Sequence, residues 1–141
     1  MDRGADANVG AGTYGSPLQS ACAFGSVRGV EFLLGNCPEI DVNAQGGKYG
    51  SALQAAVQSG EMRAVELLLK RGAGVNGRGG KYGSALNAAV VKSSWDMVEV
   101  LLGHGAEPRL PEMDAEWLTS IEKEHGPGTV ERYNKFREAH Q

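Results

Sequence analysis

Cysteine is scarce in this chain, with only Cys22 and Cys37 among 141 residues. Two thiols without short paired spacing build neither a disulfide scaffold nor a zinc site. Cys22 reads as a small buried apolar residue and Cys37 as a loop thiol. Aromatic residues make up 6% of the chain, and histidine occurs three times, at His104, His125 and His140, with no i, i+4 pair that would set two ligands on one helix face. No metal site and no cofactor are expected. Long apolar runs are missing as well. The longest, such as Val65 to Leu69 with a Glu inside, fall far short of the roughly 20 residues that a bilayer requires. The first residues carry no signal-type apolar stretch, so no membrane contact is expected and the chain is placed inside the cell, by default in the cytoplasm. A dominant charge is absent too. The net charge of -3 lacks the clustered basic face of a nucleic-acid binder, so nucleic acid is not an expected partner.

What the chain has in quantity is glycine, 21 residues, and a repeat. Lys48-Tyr49-Gly50-Ser51-Ala52-Leu53-Gln54 recurs 33 residues later as Lys81-Tyr82-Gly83-Ser84-Ala85-Leu86-Asn87, and a looser copy, Thr13-Tyr14-Gly15-Ser16-Pro17-Leu18-Gln19, lies 35 residues before it. A fixed period of this length makes each copy one supersecondary unit that buries its apolar face only by stacking on its neighbours. Most glycines fall between the helical patterns, where tight reversal favours them.

The middle copy shows the unit. Ser51 stands at an N-cap before the helix-forming stretch Ala52 to Ser59, which Gly60 closes. A second helix follows over Glu61 to Leu69, with Met62, Val65, Leu68 and Leu69 on one face and Arg63, Glu66 and Lys70 away from it. The same register predicts helices at Ser16 to Phe24 and Val27 to Leu34, and at Ser84 to Lys92 and Trp95 to Leu102. Leu18, Leu53 and Leu86 correspond, as do Ala21, Ala56 and Ala89, and Val30, Val65 and Val98. The two-residue excess of the first period sits around Asn36 to Ile40, where a loop absorbs an insertion at small entropic cost.

These residues carry a resemblance. The pattern is similar to the ankyrin repeat, whose units read Thr-Pro-Leu-His, then Ala-Ala, Gly, Val-Val, Leu-Leu-Leu and Gly-Ala-Asp-Val-Asn. Ser16-Pro17-Leu18-Gln19, Gly4-Ala5-Asp6-Ala7-Asn8 and Gly105-Ala106-Glu107 match closely, and the likeness spans roughly residues 4 to 108. Gln19, Gln54 and Asn87 replace the family's His, and Lys-Tyr-Gly-Ser replaces its Asp-Gly-x-Thr turn, a style resembling a variant common in fungal arrays. The amide can still bridge backbone groups as the His would. The implied fold is an all-α solenoid of about three helix-turn-helix repeats with hairpin-like turns and a C-terminal helical extension. Residues 1–108 form the array: the end of a preceding repeat at 1–8, then repeats at about 8–42, 43–75 and 76–108. Residues 109–141 form a cap and tail.

The ends differ in kind. Nothing before Leu18 supplies a polar capping unit, so the first face is expected to pack end-on against a second copy or to continue a longer array. Pro111 to His125 forms a helical pattern with Met113, Trp117, Leu118 and Ile121 that can close the core. After Gly126-Pro127-Gly128, Thr129 can N-cap a last helix with Val130, Tyr133 and Phe136 in a weak apolar stripe, which either docks or frays.

Catalytic chemistry finds no foothold in the pattern. Gly46-Gly47-Lys48 and Gly79-Gly80-Lys81 fail as phosphate loops, because Val42 and Val75 hold the first Gly position and Tyr follows the Lys. Ser16, Ser51 and Ser84 recur once per repeat, the distribution of a structural cap rather than of a nucleophile. His104 aligns with the family's His before Gly-Ala-Asp and is expected to cap a helix. Trp95 aligns with Val27 and Met62 and is expected in the core. Glu112, Asp114 and Glu116 lead a helix, where negative charge offsets the dipole.

The resemblance implies that the turns are fingers beside a concave groove. Tyr14, Tyr49 and Tyr82, with Lys48, Lys81 and Arg78, are then candidate partner contacts on the fingers, aromatic and basic types that dominate interface energies. The tyrosines can equally serve to stack the fingers. Ser20, Ala23, Ala55, Gln58, Ala88 and Val91 are the helix-one positions expected to look out of the core into a flat, mildly apolar groove. The expected function is binding of a protein or peptide without catalysis. The alternative is a small-molecule-binding or enzymatic domain with the C-terminal tail as a lid.

Overall fold

Each repeat begins with a serine that ends an extended segment and opens a helix. Ser16, Ser51 and Ser84 have β-region backbones, and their hydroxyls accept from the amides of Gln19, Gln54 and Asn87. In the first repeat Gln19 Oε1 accepts in turn from Ser16 N–H at 2.7 Å, completing a capping box. The structure is a computed structural model that describes residues 12–108 and 113–140. It comprises α1 (Pro17–Ala23), α2 (Val27–Asn36), α3 (Ala52–Ser59), α4 (Met62–Lys70), α5 (Ala85–Val91), α6 (Trp95–Gly103), α7 (Ala115–His125) and α8 (Thr129–Ala139), with no strand among the described residues. The segment expected to close a preceding repeat, residues 1–8, lies outside these, as do Pro111 and Glu112.

The short helices α1, α3 and α5 stack in an inner row, and α2 and α4 pack behind it. Every residue of Ala52 to Val57 and of Ala85 to Val91 is buried, because alanine at the contact lets successive helices approach closely. In α4 the exposed Arg63, Glu66 and Lys70 lie opposite the buried Ala64, Val65 and Leu68. Gly60 reverses the chain between α3 and α4 with φ of 83°. The same place between α5 and α6 is held by Ser93 with φ of 55°, a left-handed conformation that costs a residue with a Cβ.

The fingers, built on the isolated bridges Gly12 to Gly15, Gly46 to Gly50 and Gly79 to Gly83, form a ladder of their own. Lys48 N–H donates to Thr13 O at 2.9 Å and Lys81 N–H to Lys48 O at 2.8 Å. Such close approach explains the glycine before each lysine. A Cβ at Gly47 would lie 2.3 Å from Tyr14 O, and one at Gly80 2.2 Å from Tyr49 O. The buried amides tie each helix start to the next finger: Gln19 Nε2 donates to Gly46 O at 2.8 Å and Gln54 Nε2 to Gly79 O at 2.7 Å. Asn87, one methylene shorter, donates to Tyr82 O of its own finger, and its Oδ1 is buried without a protein partner. A second ladder runs behind. Asn43 bonds Gly72 O and Gly74 N–H, and Asn76 repeats this with Gly105 O and Glu107 N–H.

The C-terminal helices close the array. α8 packs on α5 in the place of a further inner helix, and α7 packs on α8. Ile121 and Tyr133 are buried in the same core as Leu18, and Thr129 is buried as well, so the tail docks. Asp114 caps α7 by accepting from Trp117 N–H. Thr129, in contrast to the sequence reading, is the first residue of α8 and donates its hydroxyl to Gly126 O. The cap is supplied from a distance by Glu122, whose carboxylate accepts from Gly128 and Val130 N–H at 2.7 Å each. Those two bonds hold its pKa below the ordinary carboxylate value.

Cys37 does lie in the loop just past α2, as its C-cap, but it is buried there. One further expectation is corrected. Trp95 is 48% exposed rather than core: it opens α6 at the last repeat, where the cap packs chiefly on α5. Cys22 is buried as expected, and burial pushes its thiol up to about 12. His104 caps its own helix, its ring on Val100 O.

Candidate functional site

Placing Tyr14, Tyr49 and Tyr82 at the same point of successive fingers, one rung of the ladder apart, forces their rings into a stack. Tyr14 and Tyr49 have centroids 6.1 Å apart at 14° and Tyr49 and Tyr82 6.2 Å apart at 5°. The preceding lysine of each later finger lies over its own tyrosine, with Lys48 Nζ 5.5 Å from the Tyr49 centroid and Lys81 Nζ 5.4 Å from that of Tyr82. Cation–π attraction of about 0.5–1 kcal/mol is expected for such an exposed contact as that of Lys48.

The two ends of the stack differ. At the cap end α7 takes over the role of another finger. Trp117 Nε1 donates to Lys81 O at 2.6 Å, where a further finger would place a backbone N–H. The Tyr82 hydroxyl meets His125 Nε2 at 3.1 Å, and Lys81 Nζ pairs with the Glu124 carboxylate. Burial, reinforced by Glu124 and Tyr49, pushes the Tyr82 phenol well above its ordinary range. Burial also holds His125 below its ordinary value, helped by Lys92 and Lys81 and opposed by Glu124. The hydrogen bond from Lys81 does most to hold Glu124 down.

At the first finger no further tyrosine continues the stack among the described residues. Tyr14 is half-buried and meets Phe24 edge-on at 5.0 Å between centroids. Phe24 is 72% exposed. On the second finger Lys48 is exposed and forms no ion pair among the described residues, whereas Arg78 lies 3.9 Å from Glu107 with both groups largely in solvent. Phe24 was not among the expected contacts, yet the sequence carried a signal: the aligned positions are the polar Ser59 and Lys92. Trp117, Glu124 and His125 carried none, because nothing in the cap aligns with a finger.

The expected groove is corrected. Ala55, Ala88 and Val91 do not look out of the core; they are buried, because inner helices stack through these faces. Ser20 and Ala23 on α1 are half-buried, and Gln58 is half-buried with its amide donating to Ala23 O at 3.0 Å. Tyr49 and Tyr82 likewise have most of their ring surface enclosed by the stack and, at Tyr82, by α7. The accessible surface here therefore comes from Phe24, Tyr14 and Lys48, with Ser20, Ala23 and Gln58 as further half-buried candidates.

Among the described residues no cluster of His, Cys, Asp and Glu could hold a metal ion, and no helix is long and apolar enough to cross a membrane. Comparison with curated proteins gives no match. A family model for ankyrin repeats, in three copies, matches residues 18–112. Ankyrin repeats are generally protein-interaction modules and typically non-catalytic. With the capped helix pairs, the fingers and the stacked repeats already in hand, that match shows that the chain belongs to the ankyrin repeat family.

Proposed function

We propose that this chain is a non-catalytic module that binds a protein or peptide along its row of fingers and the adjoining inner-helix edge. The observation that carries the reading is the first-finger end of the tyrosine stack, where Phe24 stands 72% exposed against Tyr14. A large apolar ring held in solvent on a rigid frame loses little conformational entropy when covered, and aromatic anchors beside basic groups concentrate binding energy. We take residues 1–108 as the array and 109–141 as its cap, supported by the packing of α8 on α5. We also read the repeated Gly-Gly-Lys-Tyr-Gly-Ser-Ala-Leu finger as the style resembling fungal arrays.

The test is affinity capture with the wild-type chain, Phe24→Ser and the control Phe32→Ser. Phe32 is also exposed, at 60%, but lies in the outer helix α2. Both variants should melt like wild type. Loss of a captured protein with Phe24→Ser alone supports the site. Capture indifferent to Phe24→Ser, or lost equally with Phe32→Ser, refutes it.

A further inference from the structure

The array carries its own example of a segment bound to the finger row. α7 lies against the third finger through a carboxylate on Lys81, an imidazole on the Tyr82 hydroxyl and an indole N–H on Lys81 O. The second finger presents the same lysine and tyrosine in nearly the same arrangement, with the ammonium 5.5 Å from the ring centroid instead of 5.4 Å. The difference is occupancy. Lys81 has Glu124, whereas Lys48 pairs with no carboxylate among the described residues. Lys48 exerts only a minor downward pull on the Glu124 pKa.

Resting on the protein-binding reading above, we propose that the partner presents an acidic peptide segment. One of its carboxylates reaches Lys48 Nζ, and a neighbouring aromatic or apolar side chain covers Phe24 and Tyr14. It sits beside α7 and repeats at Lys48 what Glu124 does one finger along. The charge at the finger favours this occupant: Lys48 is an exposed cation on an aromatic ring with no carboxylate partner among the described residues, so an acidic side chain is drawn to it and a basic one repelled, a local attraction that acts against the chain's net charge of -3. One contact of α7 is not available to the partner. Lys48 O already accepts from Lys81 N–H at 2.8 Å, so the segment depends on the carboxylate and the ring rather than on an indole-type bond to the finger backbone.

The experiment uses the full chain and two arrays of synthetic peptides. In one, an acidic and an aromatic residue are fixed and the rest randomised; in the other the acid is replaced by lysine. Wild type should retain the acidic array about tenfold or more above the lysine array, the scale on which opposite and like charges separate at an interface. Lys48→Glu should abolish or reverse the preference, Lys48→Gln should reduce it, and Phe24→Ser should weaken retention of both arrays. Both side chains are exposed, so melts should match wild type. Equal retention of the two arrays overturns the proposal, as does no retention of either. Acidic retention that survives Lys48→Glu but falls with Phe24→Ser also overturns it, while leaving the protein-binding reading in place.

Discussion

Gln54 is a buried amide whose removal should loosen two repeats at once. Its side chain is 1% exposed, donates to Gly79 O at 2.7 Å across the repeat boundary, and accepts from the Ser51 hydroxyl at 2.8 Å. Gln54→Ala leaves both partners without it, at about 1–2 kcal/mol each, since the exposed edge of the finger lets water serve Gly79 O in part. The vacated volume of a few tens of Å³ adds about 1 kcal/mol at roughly 24 cal/mol per Å³. Release of the glutamine's rotamer entropy returns up to about 1.5 kcal/mol. The net loss is about 2–3 kcal/mol, or a fall in Tm of about 6–12 °C for a chain of this size. Thermal melts followed by circular dichroism would measure it, with the exposed Gln45→Ala as a control expected within about 0.5 kcal/mol of wild type. Gln54→His keeps a donor where the family's pattern carries His, and should lose less than Gln54→Ala. A Gln54→Ala melt within 1–2 °C of wild type (about 0.5 kcal/mol) would refute the idea that the amide bridge couples helix start to finger.

Three other outcomes follow from the same geometry. Gly80→Ala forces a Cβ to 2.2 Å from Tyr49 O at a φ of 72°, so it should cost more than about 3 kcal/mol, whereas Gly72→Ala, at φ of 87° with open space around it, should cost about 1–2; paired urea melts compare them. Ser93→Gly relieves the left-handed serine at the point where Gly25 and Gly60 stand in the other repeats and should raise stability by about 0.5–1 kcal/mol, read as a rise in Tm. Acid should release the cap. His125 is held below its ordinary 6.5, and Glu122 and Glu124 below their ordinary 4.5. Each group binds fewer protons folded than unfolded, so its contribution is complete above the ordinary value and lost as pH falls through the lowered one. In a Trp95→Phe background, Trp117 emission should shift red as pH drops below 6.5, first through His125, then more steeply below 4.5 through the glutamates; His125→Gln should remove the first part, and a flat profile to pH 3 would contradict the assignment.

Much of the fold was legible in the chain because it is local and periodic. Ser51 caps the amide three residues on whatever else the molecule does, and Val65 and Leu68 share a helix face through the 3.6-residue turn alone. The glycine before each lysine was legible as a turn residue, while its closer reason, the backbone of the preceding finger only 2.3 Å from any added Cβ at Gly47, was not. The capping of α8 was misassigned to Thr129 because Glu122 reaches it from a different helix.

The sequence by itself determined the period, the helix starts, the apolar positions that face a core and the alignment of three tyrosines at one place in each repeat. These depend on covalent spacing and short-range hydrogen bonds. Only the tertiary structure decided which of those residues remain accessible. Alanine at 55 and 88 has the character of either a mild surface or a close helix contact, and the stacking of the inner row makes it the second. Tyr82 and Tyr14 occupy equivalent positions, yet α7 encloses one and leaves the other beside an exposed Phe24. Burial is a property of segments far apart in the chain that come to lie together. A repeat therefore writes its own architecture into its sequence, while the place where it is open to a partner depends on what the last helices cover.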